Sequence, residues 1–345
     1  MQKTEIIIIG AGPGGLACAT ELKERGNLDV TILEKNPKIS YKVCAGGIDP
    51  NLSELGITEN IIERRFTKIT MSTSWQSAFL RSKNTIIATL NRKKLHENMA
   101  EKARESGVKI LFGEKVTEIK ENVVITSSGK EFHFDYLIGA DGSNSFVRKS
   151  LGLKKKRFIL AMQYMIPDYY PDMEFHVDID RFDMSYAWVF PQESVISVGT
   201  GFYPGFSEIS MKHLRKNLDE WIRAKFGSEA IKKARFEAFP ILFDYQGFEF
   251  GNIFLVGDAA GLAHDLTGGG IASAILSGRD VARKIVNPEY DCPEIKKILE
   301  KKKNSKAFFE LLANSSRSKK KIIIEAFVFS LKIPFFGKKI ASRVL

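Results

Sequence analysis

The chain has 345 residues, of which 44% are apolar, and it carries a formal net charge of +11. A chain of this length and composition can bury a large core, which excludes disorder as the main state and favours two domains or one elaborate domain. The three cysteines, Cys18, Cys44 and Cys292, have no pairwise spacing typical of a metal site or a redox pair, which favours a reducing cytoplasm. No HExxH motif and no Ser-His-Asp ordering occurs in the sequence, so metal and hydrolytic chemistry have no support.

The N-terminal segment does not have the pattern of a secretory signal. Its apolar part, residues 6–9, is short and runs directly into glycines. We therefore expect the mature protein to begin at Met1 and to be cytoplasmic.

A strand, a glycine-rich turn and a helix open the chain. The β-branched run 4–9 leads into Gly10-Ala11-Gly12-Pro13-Gly14-Gly15, and a helical pattern and a second buried strand at 30–33 follow. This is a βαβ unit of about 30 residues, the length of one mononucleotide-binding half. Gly10, Gly12 and Gly15 match the G-x-G-x-x-G pattern, in which backbone N–H groups approach a pyrophosphate at the positive end of the helix.

An acidic residue, Glu34, closes the second strand and is followed by Lys35. A carboxylate at this position accepts hydrogen bonds from the adenosine ribose and disfavours a 2′-phosphate. The opening unit therefore predicts a bound dinucleotide, although it does not separate NAD from FAD.

The middle of the chain predicts further strands and a second, antiparallel sheet. Residues 36–65 are expected to form an irregular loop with short helices, strands are expected within 67–90, and the helix 91–106 has Arg92 in its first turn. Four more strand patterns lead to Gly139-Ala140-Asp141-Gly142-Ser143, where Asp141 is either a ligand or a helix cap. Antiparallel strands are then expected within 158–201, with a helix over 207–226 and a strand over 236–241.

The segment 251–271 identifies the nucleotide. A strand at 253–256 ends on Gly257-Asp258, and the cluster Gly268 to Gly270 opens an apolar helix. This arrangement suits a long cofactor, with Asp258 accepting hydrogen bonds from a polyol chain and the later helix offering unpaired N–H groups to an electron-rich ring. FAD has both parts and NAD has neither, so the predicted cofactor is FAD.

Together these motifs resemble the flavoprotein superfamily of aromatic-ring hydroxylases and geranylgeranyl reductases, from residue 4 to about residue 286. The loop Tyr41-Lys42-Val43-Cys44-Ala45-Gly46-Gly47-Ile48 is similar to the cysteine loop that lies over the isoalloxazine in the reductase branch, and residues 186–191 resemble its substrate strand. Hydroxylases have no such loop, so the reductase branch is favoured. Ala45, Gly269 and Asp265 depart from that family's pattern, and Asp265 is expected near the reacting face.

The resemblance implies a fold class and a domain division. We expect an α/β fold with a discontinuous Rossmann-type FAD-binding domain, an antiparallel β-sheet substrate domain and a helical C-terminus. The FAD-binding domain is expected over 1–66, 84–150 and 248–288, and the substrate domain over 67–83 and 151–247. Residues 289–345 form the basic C-terminal segment.

The resemblance also implies site residues. Tyr186, Trp188 and Phe190 are expected to contact the substrate, and Cys44 is either a proton donor or a residue that packs against the flavin ring. His264 is favoured as a hydrogen-bonded structural group. Cofactor contacts are expected from Gly10, Gly12, Pro13, Gly14, Gly15, Glu34, Lys35, Cys44, Ala45, Gly46, Arg92, the backbone of Val116, Asp141, Gly257, Asp258, Gly268, Gly269, Gly270 and Ile271.

The implied function is reduction of carbon–carbon double bonds in a geranylgeranyl or other isoprenoid substrate, by hydride transfer from reduced flavin N5. The electron donor stays open between NADPH, ferredoxin and another carrier, because no second nucleotide fingerprint occurs. Two alternatives remain: an FAD-dependent monooxygenase like the aromatic-ring hydroxylases, and a membrane-associated flavoprotein without catalysis.

Much of the positive charge lies in the last fifty residues, around the aromatic and apolar runs 322–331 and 333–336. These runs are too short to span a membrane, which takes roughly 20 apolar residues. A helix lying on a membrane surface and a helix docked on the core are both consistent with the pattern. Nucleic acid is not an expected partner, because no recognition motif accompanies the lysine clusters.

Overall fold

The computed structural model describes residues 5–26, 28–39, 42–49 and 52–333. Several positions used in the sequence predictions lie outside the described residues. They are Thr4, Tyr41 of the cysteine loop, Pro334, Phe335, Phe336, and the basic pair Lys338-Lys339.

A six-stranded sheet carries the opening βαβ unit. Its order is β18-β19-β12-β1-β2-β8, and all neighbours are parallel except β18 and β19. The strands span Glu5–Ile9 (β1), Asp29–Glu34 (β2), Lys109–Phe112 (β8), Tyr136–Gly139 (β12), Glu249–Phe250 (β18) and Ile253–Leu255 (β19). The apolar run of β1 is buried because both faces of the sheet are covered.

Helices pack on one face of this sheet. They are α1 (Pro13–Arg25), α3 (Arg92–Glu105) and α8 (Ile271–Val286), whereas the three-stranded sheet β11-β10-β9 lies against the other face. The strands of the small sheet span Val116–Lys120 (β9), Val123–Thr126 (β10) and Glu131–His133 (β11). The chain positions of α1 and α8 differ by more than 250 residues, so their packing joins the two ends of the discontinuous fold.

A seven-stranded sheet forms the second layer, in the order β17-β13-β16-β15-β14-β5-β6. Neighbours are antiparallel except β14 and β5. The strands span Lys68–Ser72 (β5), Ser77–Arg81 (β6), Phe158–Ile166 (β13), Met173–His176 (β14), Ala187–Pro191 (β15), Ile196–Phe202 (β16) and Arg235–Leu242 (β17). The helix α6 (Met211–Phe226) covers one face through Leu214, Leu218 and Ile222.

A third small sheet corrects one prediction. Residues 62–65 were expected within an irregular loop, but β4 (Ile62–Phe66) pairs with β7 (Ile87–Leu90), which also pairs with β3 (Gly47–Ile48). Arg64 and Arg65 interrupt the apolar alternation of β4, so only its pairing with a distant strand reveals it. Four short helices lie between the strands: α2 (Leu52–Leu55), α4 (Phe146–Ser150), α5 (Ile179–Phe182) and α7 (Ser228–Lys233).

Two helices follow the six-stranded sheet: α9 (Pro293–Ala313) and α10 (Arg317–Leu331). Val328 and Leu331 of α10 are buried against the apolar residues of β5 and β6, so this helix is docked on the core. In the part of the chain that the structure describes, no helix is both long and apolar enough to span a membrane. The predicted fold class, an α/β fold with an antiparallel sheet domain and a helical C-terminus, is confirmed.

Candidate functional site

One cavity is lined by loops at the carboxyl ends of the parallel strands and by one face of the seven-stranded sheet. This is where open α/β sheets bind their ligands. Most of the predicted site residues line it, namely Gly12, Pro13, Gly14, Cys44, Ala45, Gly46, Arg92, Tyr186, Trp188, Phe190, Gly257, Asp258, Gly268, Gly269, Gly270 and Ile271. The structure therefore brings together segments that are more than 250 residues apart in the chain.

The other predicted cofactor residues, Gly10, Gly15, Glu34, Lys35, Val116 and Asp141, do not line this cavity. Lys35 is exposed, and Val116 is buried beneath the parallel sheet at the start of β9. Glu34 lies beside the glycine turn, where its carboxylate accepts hydrogen bonds from the backbone N–H groups of Ala11 and Asn36, both at 2.9 Å. Through the hydrogen bond to Ala11, the Glu34 carboxylate stabilises the glycine turn.

The glycine turn needs glycine at two positions for steric reasons. A Cβ atom on Gly10, whose φ is +105°, would lie 2.6 Å from the Ala140 carbonyl oxygen, and one on Gly15 would lie 2.1 Å from the Gly10 carbonyl oxygen. Gly12 is the N-cap of α1, and no side chain caps this helix. The first-turn N–H groups of α1 are therefore available to an anion, which the helix dipole also favours.

Asp141 accepts hydrogen bonds from N–H groups in the first turn of the short helix α4, whose N-cap is Ser145. One carboxylate oxygen accepts hydrogen bonds from the N–H groups of Phe146 at 2.6 Å and Val147 at 3.2 Å. The other oxygen is buried without a hydrogen-bond partner, and burial raises the pKa of this carboxyl group.

Asp258 lies in a short 3₁₀ segment after β19, at the edge of the cavity. Its carboxylate accepts a hydrogen bond from the Ser143 hydroxyl at 2.9 Å and lies 3.6 Å from the Lys42 ammonium. Lys42 also lines the cavity, with its ammonium 5.3 Å from the centre of the Phe239 ring. Because the ion pair joins the cysteine loop to the parallel sheet, Lys42 is a site residue that glycine patterns alone do not reveal.

A tight loop precedes α8 and brings its N-terminus to the cavity. Gly270 is the N-cap, and no side chain caps the helix. Nδ1 of His264 accepts hydrogen bonds from the N–H groups of Leu266 at 3.4 Å and Thr267 at 3.3 Å. Burial lowers the pKa of His264 to about 4, so the imidazole is neutral and acts as an acceptor within the loop.

Asp265 does not line the cavity, so the structure gives no support to the expectation that it lies near the reacting face. Its buried carboxylate accepts hydrogen bonds from the Lys302 ammonium at 2.9 Å and the Ser305 hydroxyl at 3.2 Å, both on α9. The same ammonium donates to the carbonyl oxygens of Phe243 and Ala263 at 3.1 and 2.6 Å. A buried carboxylate needs such partners. No sequence pattern indicated Lys302 as the partner of Asp265, and the tertiary structure brings the two together.

The cysteine loop lies between the two sheets. The Cys44 sulfur accepts a hydrogen bond from the Gly46 N–H at 3.3 Å. Gln163 donates to the Cys44 carbonyl at 3.4 Å, and Gln192 donates to the Ala45 carbonyl at 3.2 Å. These two glutamines, which no sequence motif indicated, hold the loop against the seven-stranded sheet.

Three aromatic side chains of the seven-stranded sheet line the cavity as an apolar wall, and the Phe190 ring packs against Gly47 of the cysteine loop. Tyr186 directly precedes β15, and Trp188 and Phe190 lie within it. Because these are every second residue, their side chains lie on one face of the sheet. The Tyr186 hydroxyl donates to the Thr267 carbonyl at 3.0 Å, and burial raises its pKa, which keeps it protonated. Met162 and Tyr164 of β13 do not line the cavity and lie in the core beneath α6.

The residues present fit FAD. Nε and Nη1 of Arg92, which lines the cavity, are buried polar atoms without a hydrogen-bond partner, as expected where ligand atoms supply the partners. The N-termini of α1 and α8, neither of which has a side-chain cap, border this cavity together with the Asp258 carboxylate. The apolar wall lines the same cavity. Within residues 5–26, 28–39, 42–49 and 52–333, no group of three or more His, Cys, Asp or Glu residues could hold a metal ion.

Comparison with known proteins gives a family. The model of the family "FAD binding domain" matches residues 3–290, which confirms the predicted FAD cofactor. The chain is 30% identical over 314 residues to a chloroplastic geranylgeranyl diphosphate reductase of Arabidopsis thaliana; the match covers 83% of this chain and 66% of that protein. It is 28% identical over 312 residues to digeranylgeranylglycerophospholipid reductase 2 of Methanosphaera stadtmanae, covering 81% of this chain and 76% of that protein.

Solved structures share the fold. A geranylgeranyl bacteriochlorophyll reductase-like protein from Thermoplasma acidophilum has a TM-score of 0.82 and 23% identity, over 99% of this chain and 96% of that one. The enzyme 2-methyl-3-hydroxypyridine-5-carboxylic acid oxygenase has a TM-score of 0.69 and 17% identity, over 89% of this chain and 90% of that one. At these identities the likeness is one of fold.

Proposed function

The chain belongs to the FAD binding domain family of FAD-dependent oxidoreductases, and we propose that it reduces carbon–carbon double bonds of a geranylgeranyl or other isoprenoid substrate. The observation that carries this proposal is the apolar wall of Tyr186, Trp188 and Phe190, which lines the same cavity as the cysteine loop. Its apolar character suits a hydrocarbon chain. Both curated relatives described above carry names of reductases for geranylgeranyl substrates.

When bound, reduced FAD supplies a hydride from N5. For this chain we propose that the first turn of α1 and Arg92 hold the pyrophosphate and neighbouring groups, and that Asp258 holds the ribityl chain. Gly268, Gly269, Gly270 and Ile271 lie at the flavin end, where the N-terminus of α8 meets the cavity. The apolar wall excludes water and orients the alkene.

We propose that Cys44 donates the proton that completes the reduction, since its thiol lies in the loop that borders the cavity. General acid catalysis contributes roughly 10²–10⁴-fold, so Cys44→Ala is expected to slow substrate-driven flavin reoxidation by about 10²-fold while FAD stays bound. Stopped-flow absorbance of the reduced flavin measures this rate. Cys44→Ser keeps a side chain of similar volume with a dissociable proton, so it should retain more activity than Cys44→Ala. Equal rates for the wild type and Cys44→Ala would show that Cys44 is a packing residue and donates no proton.

A monooxygenase is the second candidate, because the fold is shared with an oxygenase of a small aromatic acid. The deciding experiment is anaerobic reduction of the purified flavoprotein, followed by mixing with a geranylgeranyl lipid or with oxygen. Reoxidation by the lipid, with a gain in mass of two hydrogens per double bond, is expected from a reductase. Rapid reoxidation by oxygen with hydroxylation of an aromatic substrate would replace this function with the second candidate.

We also propose peripheral contact with an anionic membrane through the basic C-terminal segment. Ile322 and Phe329 lie seven residues apart on α10 and are 63% and 58% exposed, with the exposed Lys319 one turn before Ile322. Trp75, 68% exposed, lies in the β5–β6 turn, whose Thr73 and Gln76 side chains donate to Glu325 on the same helix face. Aromatic and apolar side chains beside a cation are typical of a surface-bound membrane site.

The domain limits given above are likewise proposed for this chain. The membership of β5 and β6 in the seven-stranded sheet supports assigning residues 67–83 to the substrate domain. The electron donor stays open between NADPH and ferredoxin.

A further inference from the structure

A line of hydrogen-bonded side chains crosses the face of the seven-stranded sheet that lines the cavity. Glu237 of β17 pairs with Gln163 of β13, and Gln163 pairs with Gly199 of β16. Gly199 also pairs with Trp188 of β15. Residues that lie opposite each other on neighbouring strands point to the same face of a sheet. Glu237 therefore shares a face with Gln163 and Trp188, although only the last two line the cavity.

The Glu237 carboxylate determines how the Gln163 amide is oriented. A carboxylate only accepts hydrogen bonds, so the group that lies 2.9 Å from its Oε2 is the amide nitrogen of Gln163 and not the amide oxygen. Its Oε1 accepts a hydrogen bond from Arg235 at 2.7 Å. Gln163 is 3% exposed, so its amide depends on protein partners. The amide oxygen of Gln163 therefore points away from Glu237.

The oriented amide in turn fixes the Trp188 indole. The Gln163 amide oxygen accepts a hydrogen bond from the Ser197 hydroxyl at 2.9 Å. The oxygen of that hydroxyl then accepts from the Trp188 indole N–H, also at 2.9 Å, so the ring presents carbon atoms to the cavity. Glycine at 199 makes room for the ring, because a Cβ there would lie 2.4 Å from its Cζ2. We call Glu237, Gln163, Ser197 and Trp188 the Glu237 network.

The same amide also contacts the cysteine loop. The Gln163 nitrogen lies 3.4 Å from the Cys44 carbonyl oxygen and 3.4 Å from the Met165 sulfur. Gln163 thus touches the loop that carries the proposed proton donor and, through Ser197, supports the apolar wall. The separation between the loop and the wall therefore depends on one amide and on the carboxylate that orients it.

We propose that Glu237 is a positioning residue, which acts through Gln163 to hold the apolar wall and the cysteine loop at the separation that the alkene of the substrate requires. This inference rests on the proposed function and adds a residue that does not line the cavity. A displacement of about 1 Å caused by a change far from the chemistry can lower a rate roughly 10²-fold. Loss of the Glu237 carboxylate should therefore affect both substrate binding and reduction.

The first measurement follows the Trp188 indole in the oxidised holoprotein without substrate. The protein has three tryptophans, so isotope-labelled tryptophan gives three indole N–H signals in an NMR spectrum, and Trp188→Phe identifies one of them. We expect Glu237→Ala and Ser197→Ala to shift this signal upfield, because an N–H with a weakened hydrogen bond is less deshielded. Glu237→Gln keeps an acceptor for Gln163 and should shift it less, since the Arg235 side chain is 66% exposed and can pair with water.

The second measurement uses geranylgeraniol as the probe. Its titration into the oxidised holoprotein gives a dissociation constant from flavin absorbance, and its mixing with the reduced holoprotein gives a limiting rate of reoxidation. Glu237→Ala should raise the dissociation constant roughly threefold to tenfold and lower the limiting rate roughly tenfold, because the wall and the loop both lose support. Ser197→Ala removes only the connection to Trp188, so it should raise the dissociation constant as much but change the limiting rate less than about threefold.

Tyr164→Phe is the matched control. Tyr164 neighbours Gln163 on β13 and lies on the opposite face, where its hydroxyl donates to Asp219 at 2.6 Å. The variant loses one hydrogen bond of the same strand and should change neither the indole signal nor the two constants. Equal shifts of the indole signal in Tyr164→Phe and Glu237→Ala would show a general loosening of the sheet and would overturn the inference.

Two other results would also overturn it while the proposed function stands. One is an unchanged indole signal in Glu237→Ala; the other is a shifted signal in a variant that keeps the wild-type dissociation constant and limiting rate. Wild-type protein that neither binds geranylgeraniol nor is reoxidised by it would remove the proposed function, and the positioning role with it. The indole signal is measured without substrate, so it separates this failure from a failure of the Glu237 network.

Discussion

At the scale of single residues, His264 shows how one protonation state stabilises a loop. Its Nδ1 accepts hydrogen bonds from the backbone N–H groups of Leu266 and Thr267. A proton on Nδ1 would turn this acceptor into a donor that faces two other donors, and both hydrogen bonds would be lost. Burial lowers the pKa of the folded imidazole from 6.5 to about 4. The neutral form is therefore favoured in the folded protein, and its contribution to stability is complete above about pH 6.5 and is lost as pH falls towards about 4.

We expect acid to destabilise the wild type by up to about 3 kcal/mol across this window through His264 alone. His264→Asn keeps an acceptor atom and removes the titration, so its free energy of unfolding should depend less on pH. Urea unfolding at several pH values between 7 and about 4 measures both proteins. His213→Asn, at an exposed position, should behave as the wild type does; a His264→Asn curve parallel to the wild-type curve would contradict this account.

The sequence pattern predicts Asp258 as a cofactor ligand, and the structure places its carboxylate at the edge of the cavity. Asp258→Ala removes an acceptor at the edge of the cavity and leaves Lys42 without its partner. A hydrogen bond to a charged group contributes about 1.5–3 kcal/mol, so the dissociation constant of FAD should rise roughly tenfold or more. Equilibrium dialysis of the apoprotein with FAD measures this constant.

Asp291→Ala is the control for Asp258→Ala. Asp291 is an exposed carboxylate paired with Lys296, away from the cavity, and its removal should leave the FAD constant unchanged. An Asp258→Ala protein that binds FAD as tightly as the wild type would remove Asp258 from the cofactor site.

At the scale of elements, the contact between α1 and α8 depends on one glycine. A Cβ on Gly278 would lie 2.3 Å from the Gly14 carbonyl oxygen and 3.2 Å from the Cys18 nitrogen. Both are backbone atoms, so the helices would have to separate. Because Gly14 belongs to the glycine turn, the packing of α8 also sets the position of that turn.

We therefore expect Gly278→Ala to lower the free energy of unfolding by about 1–3 kcal/mol, despite the higher helix propensity of alanine, and to weaken FAD binding. Ser273→Ala, on the same helix, should change little. Urea unfolding and FAD titration of both variants provide the measurements. A Gly278→Ala protein as stable as wild type would show that the two helices can move apart at little cost.

The elements also differ in how well the sequence predicted them. The glycine turn, α1 and β2 were predictable because their pattern is local and continuous. The strand β4 was missed because Arg64 and Arg65 mask its alternation and β7 supplies its pairing. The helix α6 begins at Met211, four residues after its predicted start, because the Ser210 hydroxyl caps it by accepting the His213 N–H at 3.2 Å.

At the scale of the whole molecule, the two C-terminal helices join both layers. Lys302 of α9 pairs with Asp265 in the tight loop before α8, and Lys320 of α10 is buried against Asp183 and Glu208 beside the seven-stranded sheet. A buried lysine that loses its partner leaves an uncompensated charge. The helices α9 and α10 are therefore part of the folded core, and it is the outer face of α10 that we propose for membrane contact.

The proposed membrane surface can be tested with vesicles. We expect the holoprotein to co-sediment with vesicles of anionic phospholipid more than with neutral ones, and Phe329→Glu or Trp75→Glu to reduce this binding severalfold, since a charge opposes insertion at the interface. Tyr169→Glu is the control, because Tyr169 is a 65% exposed aromatic residue of the loop after β13 and belongs neither to α10 nor to the β5–β6 turn. Equal losses in all three variants would contradict this surface.

The sequence by itself determined the cofactor, the family resemblance and the order of layers, because these depend on motifs of a few adjacent residues and on alternation along single strands. Gly257-Asp258 and Gly268 to Gly270 carried that information within one segment. The tertiary structure decided that Asp265 of the same segment turns towards Lys302 and that Gln163 and Gln192 hold the cysteine loop. Such contacts join residues far apart in the chain, and a buried charge is paired only where folding brings its partner within hydrogen-bond distance.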